Sequence, residues 1–259
     1  AEGPVLSDRR GDEDGSQGTD SLRGIEFLDF DSEIPLFGES PMPLDAFTGA
    51  AGISAAQFEA ITELYIAYFN RAPDAIGLQY WATSFSNGFT LQQMATSFFA
   101  QPETRATYAD VLSPDGQTLT NVGSFVTAVY GNVLGRAPDQ AGFEYWVDRL
   151  ENYAEITPAN IILSLIFGAK FPSEPTAQTA LDQAYLADKA DIGTYFAAIR
   201  GMSNIDNAQA VMQLFNGSED SLQASVAQID AFYEDAFRSE GGEFLFQLVG
   251  ILDNPFAGF

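Results

Sequence analysis

The chain of 259 residues contains no cysteine and no histidine. Without thiolate or imidazole it has no disulfide, no cysteine nucleophile, no Ser-His-Asp relay and no ordinary zinc, copper or haem ligands. Any bound metal would be a hard cation held by oxygen, with calcium first among them. Basic residues are scarce: Lys170 and Lys189 join nine arginines against 36 acidic residues, for a net charge of −25. That balance leaves no basic stripe to neutralise phosphates, which argues against nucleic acid and anionic membrane surfaces as partners. No apolar run approaches the ~20 residues of a membrane-spanning helix.

What is present is apolar residues in quantity, 46% hydrophobic and 13% aromatic, enough for a sizeable core. Their pattern changes along the chain. Residues 1–21 are rich in Gly, Asp, Ser and Arg and offer almost nothing to bury, so they are expected to lack fixed structure unless an ion orders them. Leu22 to Phe30 mixes β-branched and aromatic residues in partial alternation and predicts one or two short strands. Asp31 to Gly52, with Pro35, Pro41 and Pro43, reads as an irregular linker.

From Ser54 the apolar period becomes helical. Helices are predicted from Ser54 to Asn70, Asp74 to Asn87 and Leu91 to Ala100, with a short piece to Ala109. The order recurs after the turn Ser113 to Gly116, with helices around Phe125 to Val133, Asp139 to Asn152 and Pro158 to Phe167. Three further pieces, Thr176 to Ile199, Asp206 to Phe215 and Ser218 to Phe237, precede an apolar tail. The expected fold is mainly α: tandem helical-hairpin modules behind a short N-terminal β segment. The divisions are 1–52, a leader with strand pair and linker; 53–112, the first repeat; 113–240, a second and extended repeat; and 241–259, the tail.

One phrase occurs twice, NRAPDAIGLQYW from Asn70 and GRAPDQAGFEYW from Gly135, 65 residues apart. Arg71, Pro73, Asp74, Gly77 and Trp81 thereby align with Arg136, Pro138, Asp139, Gly142 and Trp146. Each type has a structural task. Proline ends the first helix. Aspartate caps the second through N–H bonds, at about 1 kcal/mol. Glycine permits close helix approach, tryptophan fills the core, and arginine is placed to bind the last helical carbonyls or the capping aspartate. The alternative is a sugar-binding cleft lined by the same Arg, Asp, Tyr and Trp.

The motif R-A-P-D-x-x-G-[LF]-x-Y-W after an aromatic-rich helix resembles the DUF4214 domain of bacterial secreted and cell-surface proteins. It covers about Ser54 to Tyr108 and Gly123 to Phe171, and Pro172 to Phe237 more loosely. The resemblance implies a small helical module, an extracellular setting beside RTX calcium repeats or in S-layer-like chains, and no catalytic residues to carry over. Gly15-Ser-Gln-Gly-Thr-Asp20-Ser-Leu22-Arg is similar to an RTX nonapeptide, which implies a parallel β-roll remnant with Asp12, Asp14 and Asp20 as calcium ligands. A flexible acidic leader is the alternative. The tail FLFQLVGILDNPFAGF is similar to a type I secretion signal; a last helix packed on the core is the alternative.

These readings converge on a secreted, non-enzymatic surface protein of S-layer, filament or matrix type, adhesive and calcium-stabilised. It would self-associate through Phe244, Phe246, Leu248, Ile251, Phe256 and Phe259, without inserting into a membrane. The alternatives are a module that binds cell-surface glycan and, least favoured, a glycosidase with two carboxylates. Calcium at millimolar concentration is expected to slow amide exchange over Asp12 to Phe30 while Phe58 to Trp81 changes little. Exchange over the leader that is indifferent to chelator would remove the calcium expectation.

Overall fold

The computed structural model describes residues 5–7, 19–21, 25–29, 40–116, 118–238 and 242–258. These residues are mainly helical. They contain ten α-helices: α1 (Ala55–Phe69), α2 (Ala75–Ser86), α3 (Leu91–Phe99), α4 (Pro102–Thr107), α5 (Val122–Leu134), α6 (Gln140–Asn152), α7 (Pro158–Lys170), α8 (Ala177–Thr194), α9 (Ile205–Leu214) and α10 (Glu219–Asp235). Nine of the ten begin at a side chain that accepts a hydrogen bond from the backbone N–H three residues on: Ser54, Asp74, Thr90, Asn121, Asp139, Thr157, Thr176, Asn204 and Ser218. The exception, α4, opens with Pro102, whose missing N–H needs no partner there.

Four short strands stand at the N-terminal side. β1 (Val5–Ser7) pairs with β2 (Thr19–Ser21), and β3 (Phe27–Leu28) with β4 (Met42–Pro43). Both pairs are antiparallel, which departs from the parallel coil that an RTX roll implies. A strand pair also lies within the stretch expected to lack structure of its own. Two single turns of 3-10 helix, Leu44–Phe47 and Ala50–Gly52, follow β4 and lie on α2.

The helices form three units of one plan. In α1–α2–α3 and α5–α6–α7 a first helix stops at a left-handed residue, Asn70 (φ 51°) or Gly135 (φ 67°), and the chain reverses into a capped second helix. The helices α8–α9–α10 repeat this order, with the stop at Gly201 (φ 72°). Tyr65, Tyr130 and Tyr195 fall at equal 65-residue intervals, as do the caps Asp74, Asp139 and Asn204. The third unit differs by a π-turn, Tyr195–Ile199, that continues α8. A π-turn accommodates one extra residue in a helix. The stop therefore comes one residue late and the connection to Asn204 is one residue shorter. The region read as an extension of the second repeat is thus a hairpin unit in its own right.

Helices α1 and α8, of units one and three, make the most extensive single helix pair. Helix α8 crosses α1 where Gly193 faces Thr62 and Pro73, and a methyl at Gly193 would stand 2.6 Å from Thr62 Cγ2. The connection after α1 and the start of α2 dock on the connection after α8 and the first turn of α9: Ala72 N–H donates to the Ala208 carbonyl at 3.2 Å, and Ala75 N–H to that of Met202 at 2.9 Å. One hydrophobic core runs through all three units. A smaller one joins Met42, Leu44 and Phe47 to Ile76 of α2, with Phe244 and Phe246 from the tail. Among the described residues no helix is long and apolar enough to cross a membrane.

The tail forms no helix over residues 242–258, contrary to the packed last helix entertained for it. Nor is it free. Leu248 and Phe256 are buried, and Phe244, Phe246 and Ile251 are half-buried against the same chain. Five of the six residues assigned to self-association thus pack against their own chain; the sixth, Phe259, lies outside the described residues.

Between α1 and α7, Lys170 Nζ donates to Glu59 at 2.6 Å and to the buried Glu63 at 2.7 Å. Burial pushes the Glu63 carboxyl up from 4.5 to about 7, against the pull of Lys170 and with help from Glu59. Below pH 4.5 Glu63 is protonated folded and unfolded, and its favourable contribution is complete. That contribution is lost as pH rises through 7, because the unfolded chain gives up the proton first. Stability in urea is expected to fall across this window by an amount on the order of a few kcal/mol. Glu63→Gln should flatten that component, and an unchanged slope in the variant would assign it elsewhere.

Candidate functional site

The repeated phrase builds a joint from the inside outward. At the first joint Asp74 accepts the Gly77 N–H at 2.6 Å and fixes the start of α2. Arg71, only 4% exposed, lies over the Tyr65 and Phe69 rings at 5.1 and 5.4 Å from their centroids. Its fork grips Glu103 of α4, Nε to Oε1 at 2.5 Å and Nη2 to Oε2 at 3.1 Å, while Nη1 donates to the Ala72 carbonyl at 2.8 Å. Burial works against the Arg71 charge, but the hydrogen bonds to Glu103 and the nearby charges of Asp74 and Glu103 together outweigh it, so its pKa lies above the ordinary value. Tyr65 is held well above its usual range by burial and by the Asp74 carboxylate.

The second joint repeats the geometry with more solvent around it. Arg136 grips Asp182 of α8, Nε to Oδ1 at 2.7 Å and Nη2 to Oδ2 at 2.6 Å, and sits 5.5 Å from the Tyr130 centroid. Asp139 accepts the Gly142 N–H at 2.8 Å. The third joint keeps the components in a new order. Arg200, before the left-handed stop rather than after it, donates to Asp230 of α10 and lies 5.0 Å from the Tyr195 centroid. Tyr195 donates to Asp230 at 2.7 Å, and burial with that hydrogen bond pushes its hydroxyl up to about 12.

Each joint is therefore an aromatic ring, an arginine and a carboxylate that comes from a later helix. Arginine was expected to bind helix-end carbonyls or the capping aspartate. Arg71 does pair with the capping aspartate, Nη1 to Asp74 Oδ2 at 3.6 Å, but the bidentate partner of each fork is a distant acid. Glu103, Asp182 and Asp230 carried no sequence signal, because they lie 32, 46 and 30 residues from their arginines and share no common spacing. Trp81 and Trp146, expected in the core, pack against it from the rim and are half-buried, Trp81 edge-on to Phe98 at 5.2 Å. Pro73 meets α8 at Gly193; Pro138 is half-buried.

Asp12 and Asp14 lie outside the described residues, and Asp20 is in β2 opposite Leu6. Among the described residues no group of three or more acidic side chains is arranged to hold a metal ion.

Helical hairpins in tandem, each locked at its joint, define a mainly α repeat protein. A family model described as Domain of unknown function (DUF4214) matches residues 40–108 and again 113–171, over units one and two. The first match begins before α1 and takes in Met42 to Gly52, the segment lying on α2 that was read as linker. Unit three falls outside both matches. Searches of curated proteins and of solved structures each returned no match.

Gly77 is required by the lock itself, since a methyl there would overlap the Tyr65 hydroxyl and stand 2.8 Å from both Asp74 carboxylate oxygens. Gly77→Ala is expected to destabilise the chain by about 1–3 kcal/mol through overpacking. Combining it with Tyr65→Phe should recover part of that loss in a double-mutant cycle. Strict additivity of the two changes would show that the hydroxyl is not what excludes a side chain.

Proposed function

We propose that this chain is a non-catalytic structural and adhesive module of the bacterial cell exterior that associates with copies of itself. The observation that carries this reading is where the repeated polar groups go. Arg71, Asp74 and Tyr65, and their counterparts Arg136, Asp139 and Tyr130, are engaged with one another, with Glu103 or Asp182, or with backbone. The repeat builds an architecture that can be strung in tandem, and tandem units offer similar surfaces to neighbours. The extracellular setting and calcium at Asp12, Asp14 and Asp20 belong to this reading on the strength of the sequence resemblance.

A second reading, glycan tethering, is favoured by α6. This helix buries no residue, and Tyr145 and Tyr153 are 50% and 36% exposed. Between them lies the Arg149 guanidinium, 5.0 and 4.1 Å from the two ring centroids. Such a ladder of aromatic faces and a cation suits a sugar ring.

At a net charge of −25 self-repulsion opposes assembly, so salt or divalent cations are expected to promote it by screening or bridging carboxylates. Light scattering of the purified chain should show its mass rising with calcium or salt. A monomer mass at every concentration and ion condition, together with retention on cell-wall glycan that Tyr145→Ala and Tyr153→Ala abolish, would replace self-association with tethering.

A further inference from the structure

After α10 the chain doubles back and residues 242–258 run as a strap across units one and three. Glu243 accepts the Ser203 and Asn204 N–H groups, the latter at 2.7 Å, at the start of α9. A helix N-terminus favours a carboxylate there. Phe246 N–H donates to the Gly201 carbonyl at 2.7 Å, Leu248 N–H to Ala198 at 2.9 Å, and Gln247 Nε2 to Ile199 at 2.7 Å. These carbonyls lie at the end of α8 and its π-turn, where a helix leaves acceptors without partners of its own. From the other side Gln79 of α2 donates to the Phe246 carbonyl at 2.6 Å, and the Phe246 ring meets Phe47 at 5.1 Å. Further on, Phe256 stands edge-on to Tyr195.

We propose that the strap is exchangeable: it docks in the same groove of a second copy of this chain, and copies associate by this exchange. The proposal rests on the self-association reading and gives it a mechanism. An empty groove would expose helix-end carbonyls and the small core of Met42, Leu44, Phe47 and Ile76, so it must hold a strap. Backbone hydrogen bonds and apolar contacts do not distinguish the chain's own strap from an identical one.

The reversal at Gly242 is what ties the strap to its own groove. Glu243 N–H donates to the Ala236 carbonyl at 3.1 Å, and a methyl on Gly242 would stand 2.6 Å from the Arg238 carbonyl and 2.8 Å from that of Ala236. A tight hinge before a well-bound segment is the arrangement in which exchange costs least, since opening it relieves the turn while every other contact forms again in trans. Groove and strap are different surfaces, so a strap passed on to a third copy rather than returned to its donor makes the exchange head-to-tail and extends it into open arrays.

The test uses the full chain. Gly242→Ala crowds the reversal without touching the strap's contacts, and should raise the oligomeric share severalfold over the unaltered chain at equal concentration. For the second measurement, heavy-isotope-labelled and unlabelled chains carry a photo-crosslinking phenylalanine analogue in place of Phe246 and are mixed equally before assembly. In the oligomer, about half of the crosslinks from position 246 to Phe47 should join a labelled to an unlabelled chain if exchange is complete. Oligomers whose crosslinks join only like with like would overturn strap exchange and leave self-association standing. Monomers alone, for both the unaltered chain and Gly242→Ala, would overturn both.

Discussion

A helix that must stop and turn back leaves an arginine at the bend, and its charge has to be matched inside the fold. This constraint organises the molecule. At the first joint Arg71 is 4% exposed, with an aromatic ring on its face and the two oxygens of Glu103 on its edge. An unpaired guanidinium at that depth would cost several kcal/mol, whereas a bidentate carboxylate satisfies both its charge and its fork. Each lock therefore requires a later helix to be in place: α4 for Arg71, α8 for Arg136, α10 for Arg200. The second lock crosses a unit boundary, since Asp182 belongs to unit three.

The units are accordingly repeats in plan but not in independence. Helix α8 supplies a carboxylate to unit two while lying against α1 of unit one. The tail then closes the surface between units one and three. Counterpart helices end in different surroundings for the same reason. Helix α2 is covered by Leu44–Phe47, Ala50–Gly52 and the strap, and α6 by none of these. The uncovered helix and its C-cap carry the exposed Tyr145 and Tyr153 with the half-buried Arg149 between them, and the covered one carries the buried Ile76 and Gln79. One motif thus yields a buried joint at one end of the chain and a solvent-facing one in the middle.

The sequence by itself determined what depends on neighbours within a turn or two. Caps join residues three apart, so Ser54 with Gln57, Thr90 with Gln93, and Asp74 with Gly77 were readable, and with them the helix starts and the mainly α class. The two DUF4214 segments were likewise carried by a contiguous phrase. The tertiary structure alone decided which acid each arginine meets, because loop lengths and not a period set those separations. It decided the third unit too, whose Arg200 changes places with the left-handed stop once the π-turn adds a residue, leaving Tyr195 and Asn204 in register while the recognisable letters vanish. And it decided the tail, where an apolar run reads the same whether it is free, helical or extended. Only the unpartnered carbonyls of Ala198, Ile199 and Gly201, brought beside α2 by the crossing of α1 and α8, make it a strap.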